Sequence, residues 1–261
     1  MRRSNYSSFK NIDKNFGNVK EVVSKENFCH NNDHQHYDDK IHSVFNNIYK
    51  YKAWGDEGGG SGSGSTVLNT LNLRNLLSEF VIKNNINSMI DLPCGACTWT
   101  SVWLNELKLL NKKISYYGVD IANEAIEKCI DSTKELSDYH NFDIRKGDIS
   151  TVILPKVDLL FSRDTLQHLP FEIIFKTLMN FAECDCKYYI IGGYDSERNI
   201  DIQMGDYFPF NISKAPFSIK PDIVIPEKNG GNEPAKYLFI FKGDNFRSQI
   251  SNLKSLIYKN V

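Results

Sequence analysis

The sequence predicts an α/β fold, a mostly parallel sheet with helices on both faces. Three observations carry that expectation. Short apolar runs bounded by turn residues recur from residue 88 to residue 242, and amphipathic helical patterns separate them. Strand and helix alternate with the spacing of right-handed crossover units. The first run ends in a tight turn, Pro93-Cys94-Gly95-Ala96, that opens the next helix.

Composition bounds the rest. The chain has 261 residues, 41% apolar and 24% charged, with a formal net charge of -1. That is enough chain for a substantial core, and the balance excludes a charged disordered chain. It argues against a general nucleic-acid binder, which carries a basic excess. Six cysteines are too few for a disulfide scaffold of this size. The opening Met1-Arg2-Arg3-Ser4-Asn5 leads into no apolar run, and no stretch reaches the length of a membrane span. A reducing cytoplasmic setting with free thiols is therefore expected, with no membrane partner.

Residues 1–40 are polar with poor periodicity and read as an N-terminal extension, partly disordered or docked, ahead of a single domain over 41–261. Ile41, Val44, Phe45, Ile48 and Tyr49 fall on one helix face. The Gly/Ser-rich stretch from Trp54 to Ser65 has the composition of a flexible tether, yet it stands between two helical patterns inside one domain. Residues 55–65 thus read either as a linker or as a loop covering a ligand. Thr66 to Ile86 predicts a helix capped by Ser65 or Thr66, with Leu68, Leu71, Leu76, Phe80 and Val81 buried.

The alternation follows: strand 88–92, helix 98–110 with Val102, Trp103 and Leu107 inward, strand 115–119, helix 123–136, strand 142–145 and strand 157–161. A helix over 170–181 has proline near its first turn, and a strand spans 187–191. The order fits a Rossmann-like unit. Residues 192–234 break the rhythm, and so long a connection suggests a substrate-side insertion, placed at 193–235. A final strand spans 236–242 and a last helix 246–258.

Ligands of parallel sheets bind beyond the carboxyl ends of the strands. Four such ends carry acids: Asp91 before the tight turn, Asp120 on the second strand, Asp148 after the third, and Asp164 after the fourth. Asp120, 25 residues beyond Gly95, stands where a carboxylate accepts both hydroxyls of a ribose. Asp148 with the apolar Ile149 suits an adenine ring.

Together these segments, over roughly residues 41–242, resemble the class I methyltransferases that use S-adenosylmethionine. DLPCG at 91–95 is similar to the family's first motif, Asp120 falls at its ribose-binding acid, and Asp148 falls where an acid meets the adenine amine. RDTLQHLP at 163–170 is similar to the motif after the fourth strand, beside the methyl group. WGDEGGGSGSGST at 54–66 resembles a leader found in a less characterised branch, ahead of DLPCG. The resemblance implies a seven-stranded, mostly parallel sheet with the last strand antiparallel, and S-adenosylmethionine as cofactor with S-adenosylhomocysteine as product. Expected cofactor contacts are Asp91, Pro93, Gly95, Asp120, Ile121, Asp148, Ile149 and Arg163. Trp54, Gly62, Ser63 and Ser65 of the leader join them. The family's first motif has three glycines, whereas here Pro93 and Cys97 flank Gly95 at the outer places. Cys97 thus puts a side chain where close helix–strand packing is expected. An acid-rimmed cleft suits a sulfonium cation, and no phosphate-loop lysine is present.

No metal is expected. Cys29, His30, His34 and His36 match no zinc spacing and read as a solvated polar segment. Cys94 and Cys97 form C-x-x-C within the cofactor turn, and Cys184 and Cys186 enter a strand as inert thiols. No G-x-S-x-G nucleophile elbow occurs. An oxygen acceptor needs a general base; His168 is the first candidate, because imidazole titrates near neutrality, and Asp164 the second. The Asn/Asp-Pro-Pro-aromatic motif of nucleic-acid amine methylases is absent. A small hydroxylated acceptor, such as a sugar or nucleotide-sugar, is expected at Tyr194, Arg198, Asp206 and Tyr207. The alternatives are a protein or RNA methyltransferase, or a non-catalytic binding protein that keeps a degenerate form of the fold.

Overall fold

The computed structural model describes residues 33–228 and 234–258. Most of the predicted N-terminal extension, with Cys29 and His30, lies outside the described residues. In chain order the elements are α1 (Asp33–Lys50), α2 (Leu71–Lys83), β1 (Ser88–Asp91), α3 (Thr98–Leu109), β2 (Ser115–Asp120), α4 (Asn123–Thr133) and β3 (Asn141–Lys146). Then come β4 (Leu159–Ser162), α5 (Phe171–Glu183), β5 (Tyr188–Tyr194), β6 (Ile223–Lys228), β7 (Lys236–Lys242) and α6 (Gly243–Tyr258). One seven-stranded sheet has the order β3-β2-β1-β4-β5-β7-β6. β1 to β5 run parallel, and β7 runs antiparallel to both β5 and β6. The expected α/β, mostly parallel fold is thus present, with only the last strand of the chain reversed.

The central strands are apolar on both sides, as a sheet covered on both faces requires. Their alternation sorts side chains onto two cores. Met89, Leu159, Phe161, Ile190 and Ile240 pack with Leu73, Leu77 and Val81 of α2 and with Trp103, Leu104 and Leu107 of α3. Ile90, Leu160, Tyr189, Ile191 and Phe241 pack on the other side with Ile174, Leu178 and Phe181 of α5 and Phe246 and Ile250 of α6.

Three expectations are corrected. The helix predicted from Thr66 begins at Leu71, without a side-chain cap. Arg74 is buried, and its Nη1 donates to the Val67 carbonyl at 2.5 Å and the Thr70 hydroxyl at 3.0 Å, which ties the preceding turn outside the helix. Leu68 (83% exposed) and Leu71 (51%) therefore face solvent, and Leu73, Leu77 and Val81 form the buried stripe. Within the supposed irregular insertion, β6 forms the sheet edge. Its Ile223 and Val224 are exposed, and Pro226 and an irregular register fit only an edge, so no alternating pattern marks it. Cys97 is not a free thiol but is bonded to Cys129 of α4; Cys94, Cys184 and Cys186 are free and buried.

The α2 stripe is testable. Leu77→Ala should cost about 2–5 kcal/mol in urea unfolding, and Leu71→Ala less than about 0.5 kcal/mol. Equal losses would restore the earlier helix face.

Candidate functional site

The strand order reverses between β1 and β4, so the chains leaving their carboxyl ends diverge and open a crevice. Asp91 ends β1. Leu92 N–H then donates to the Phe161 carbonyl on β4, and Cys94 N–H to the Val119 carbonyl on β2, each at 2.9 Å. Gly95 has φ +57°, a left-handed conformation that costs glycine little, and a Cβ there would meet Ser61 Oγ at 2.9 Å. Its N–H donates to Asp120 Oδ2 at 2.9 Å, while Ala122 N–H donates to Oδ1 at 2.8 Å. Asp120 is so fixed between the β1 turn and the start of α4. Asp91 is buried and accepts the Tyr116 hydroxyl at 2.8 Å. Burial pushes its carboxyl up to about 7, and that of Asp120 to about 6.

The Gly/Ser-rich stretch is folded down on this turn. It forms two short 3-10 turns, Glu57–Gly60 and Ser63–Ser65. Ser61 Oγ pairs with Tyr49 OH at 2.6 Å and lies 3.4 Å from Ala96 N–H. Lys128 of α4 donates to the Gly59 carbonyl at 2.9 Å, and Arg163 to the Gly64 carbonyl at 3.3 Å. At Gly59, φ +71°, a Cβ would meet the side chains of both Ala96 and Thr98 at 2.7 Å, so the leader backbone packs directly on them. The stretch is a packed cover, which removes the tether reading.

The resulting cleft encloses about 950 Å³, mouth included. Asp91, Pro93, Gly95, Asp120, Ile121, Asp148, Ile149 and Arg163 line it, together with Trp54 and Ser65 of the leader and the candidate bases Asp164 and His168. Gly62 and Ser63 do not; Gly62 lies against Trp54, and the Ser63 carbonyl accepts Asn69. Ile41, Phe45 and Tyr49 of α1 and Gly58 and Ser61 of the leader also line the cleft. The apolar stripe of α1 signals burial in the sequence but not what it covers. Asp148 Oδ1 accepts Ser150 N–H at 2.7 Å, whereas its buried Oδ2 has no partner among the described residues.

At the far end, His168 closes a 3-10 turn, Leu166–His168. Its Nδ1 lies 2.8 Å from the Asp206 carbonyl, which can only accept, so Nδ1 carries the proton. The ring packs on Trp54 at 4.6 Å, tilted by 31°, and meets Tyr207 at 5.7 Å. Burial moves the imidazole below the usual histidine range. Asp164, at φ +56°, accepts Lys236 Nζ at 2.7 Å and Gln167 at 3.2 Å and pairs with Arg163 at 2.9 Å. Burial alone would raise its carboxyl, but Arg163 and Lys236 outweigh that and hold it well below the usual carboxylate range. Arg163 is in turn gripped by Glu227 of β6, with Nη2 to Oε1 at 2.5 Å. Neither Lys236 nor Glu227 is marked by any motif.

Of the expected acceptor contacts, Tyr207 touches His168 and Tyr194 touches Tyr207 at 6.1 Å. Asp206 supplies its backbone carbonyl and Arg198 is exposed; none of these four residues is among those that line the cleft. No helix among the described residues is long and apolar enough to cross a membrane.

No curated protein matches the sequence. Residues 83–191 match a family described as a methyltransferase domain. The SAM-bound magnesium protoporphyrin IX methyltransferase ChlM of Synechocystis PCC 6803 aligns with a TM-score of 0.52 at 12% identity, over 78% of this chain and 97% of that one. Alignment to its SAH-bound form spans only 48% of this chain and 56% of that one, at 15% identity and a TM-score of 0.39. The methyltransferase domain of bacterial CtHen1 aligns with a TM-score of 0.51 at 14% identity, over 67% of this chain and 99% of that one. At such identities the likeness is one of fold. The seven-stranded sheet, with its last strand reversed, thus has the class I methyltransferase fold, and residues 83–191 match the model of a methyltransferase-domain family.

Proposed function

We propose that the chain is an S-adenosylmethionine-dependent methyltransferase that modifies an oxygen of a small hydroxylated acceptor, such as a sugar or nucleotide-sugar. The residues present fit the cofactor. Asp148 Oδ2 is a buried acceptor without a partner, suited to an adenine amine. Each Asp120 oxygen takes one backbone N–H at hydrogen-bonding distance, and an ionised carboxylate has room for about four bonds, so ribose hydroxyls find acceptors there. Bound in the cleft, the cofactor supplies a methyl group made electrophilic by its sulfonium.

One observation carries the catalytic part: His168 shares this cleft with its Nδ1 proton committed to the Asp206 carbonyl. That tautomer leaves Nε2 as the basic nitrogen, and burial keeps the ring neutral near physiological pH. Nε2 takes the proton of the acceptor hydroxyl while the cleft aligns acceptor and methyl group, which supplies much of the rate. Asp164, neutralised by Arg163 and Lys236, positions those cations rather than acting as the base. Trp54 and Tyr207 offer ring faces beside His168, and these support a sugar that stacks through its C–H surface.

Asp120→Ala should weaken cofactor binding by about 1.5–3 kcal/mol, roughly 10- to 150-fold by calorimetry. In the wild type, affinity should rise with pH and level off above about 7, because Asp120 must be ionised to accept the ribose hydroxyls and Asp91 to face a cation. A flat profile with an unaffected mutant would remove both acids from the site.

His168→Ala should lower turnover about 10²–10⁴-fold and leave cofactor affinity nearly unchanged. The wild-type rate should rise through an imidazole titration displaced below the ordinary histidine range, then level. Near-normal turnover in the mutant would assign His168 to structure.

Cofactor should also slow hydrogen exchange over residues 55–65, because Gly58, Ser61 and Ser65 line the cleft. Unchanged exchange would leave the leader as scaffold.

A further inference from the structure

Beside the nucleoside end of the cleft lies a group of side chains that methyl transfer does not use. Cys94 and Cys97 stand at C-x-x-C spacing in the turn after β1, and Cys129 projects from α4. All three are buried, and their sulfur atoms lie within 4.8 Å of one another. Among the described residues they are the one group of metal-ligating side chains so assembled. Cys94 and Cys97 line the cleft, so the cluster is reached from the solvent-connected side.

The geometry is that of a soft-metal site. Three sulfurs bound tetrahedrally at a Zn–S distance of about 2.3 Å are roughly 3.8 Å apart, inside the spread of this cluster. A C-x-x-C turn is a common source of two such ligands. Asp91 and Asp120 line the same stretch of cleft as Cys94 and Cys97, so carboxylates beside the sulfurs favour a cation there.

We propose that, when the Cys97–Cys129 disulfide is reduced, Cys94, Cys97 and Cys129 bind one thiophilic divalent cation of the zinc class, with its fourth position open to the cleft. A reductant supplies two electrons and the Cys97–Cys129 bond breaks to two thiols: a dithiol gives its own two protons and becomes a disulfide, and a phosphine becomes its oxide with water supplying the oxygen and both protons. Cation binding then forms three metal–sulfur bonds and releases three protons. In the oxidised protein two of the three donors are consumed by the bond, so the site exists only in the thiol state. This goes beyond the methyltransferase reading and stands without it.

The test uses the full chain, reduced with a phosphine and freed of reductant, titrated with Co²⁺ or Cd²⁺. One equivalent should bind with a thiolate-to-metal charge-transfer band, and the unreduced protein should show none. Cys94→Ser and Cys129→Ser should each weaken binding at least tenfold and diminish the band, whereas Cys184→Ser should change neither. Near-UV circular dichroism must persist through reduction. A reduced wild type without the band overturns the proposal, and so does equal binding before and after reduction. A band that follows Cys184 and Cys186, or that arises only with loss of the near-UV signal, overturns it as well.

Discussion

The buried guanidinium of Arg163 ties the molecule together at the site. It follows β4, donates to both carboxylate oxygens of Glu227 on β6, pairs with Asp164, and reaches the Gly64 carbonyl of the leader. Asp164 extends the network to Lys236 on β7. Elements more than sixty residues apart are thereby held by one cation whose charge needs every one of these partners. Taking a partner from a buried pair leaves an uncompensated charge and is strongly destabilising. The geometry of the acceptor end, the antiparallel edge of the sheet and the docked leader are therefore one cooperative arrangement.

How far this was legible in the sequence follows from how local each cause is. The central strands are apolar on both faces because both faces are covered, and that pattern survives without knowledge of the partner. The strand-end acids are readable for a similar reason: chain order places each beyond a strand, and Asp91, Asp120, Asp148 and Asp164 all line one cleft. β6 is not readable, because an edge strand with exposed Ile223 and Val224 and a central Pro226 loses the alternation that marks a half-buried strand. The start of α2 is misread because Leu68 and Leu71 keep helical spacing, while the decisive contact is Arg74 reaching back to Val67.

Pairings across long separations leave still less trace. Cys97, in a left-handed conformation ahead of α3, is bonded to Cys129, 32 residues away. The leader, which is rich in glycine, has the composition of a tether, yet glycine serves as contact surface on both sides: a side chain at Gly59 of the leader would strike Thr98, and one at Gly95 of the β1 turn would strike Ser61. Composition records the absence of side chains but not whether that absence gives freedom or close packing. Arg198 illustrates the converse, since its type suits a ligand and its exposed position lies outside the cleft lining.

The charge at the acceptor end bears directly on which group is able to remove a proton. A base must meet its substrate unprotonated. Burial, helped by Lys236, lowers the His168 pKa and prevails over the Asp206 carbonyl and Asp164, which both favour the protonated ring. The same Lys236, with Arg163, holds Asp164 ionised and saturated with donors, and so removes it as a competing proton acceptor. Two cations placed on that carboxylate thus leave the neighbouring imidazole as the group with a basic nitrogen at this end of the cleft. The Asp206 carbonyl completes the arrangement by holding the proton on Nδ1. Asp206 belongs to the long insertion after β5, so the segment with the least regular structure sets the tautomer of the proposed base.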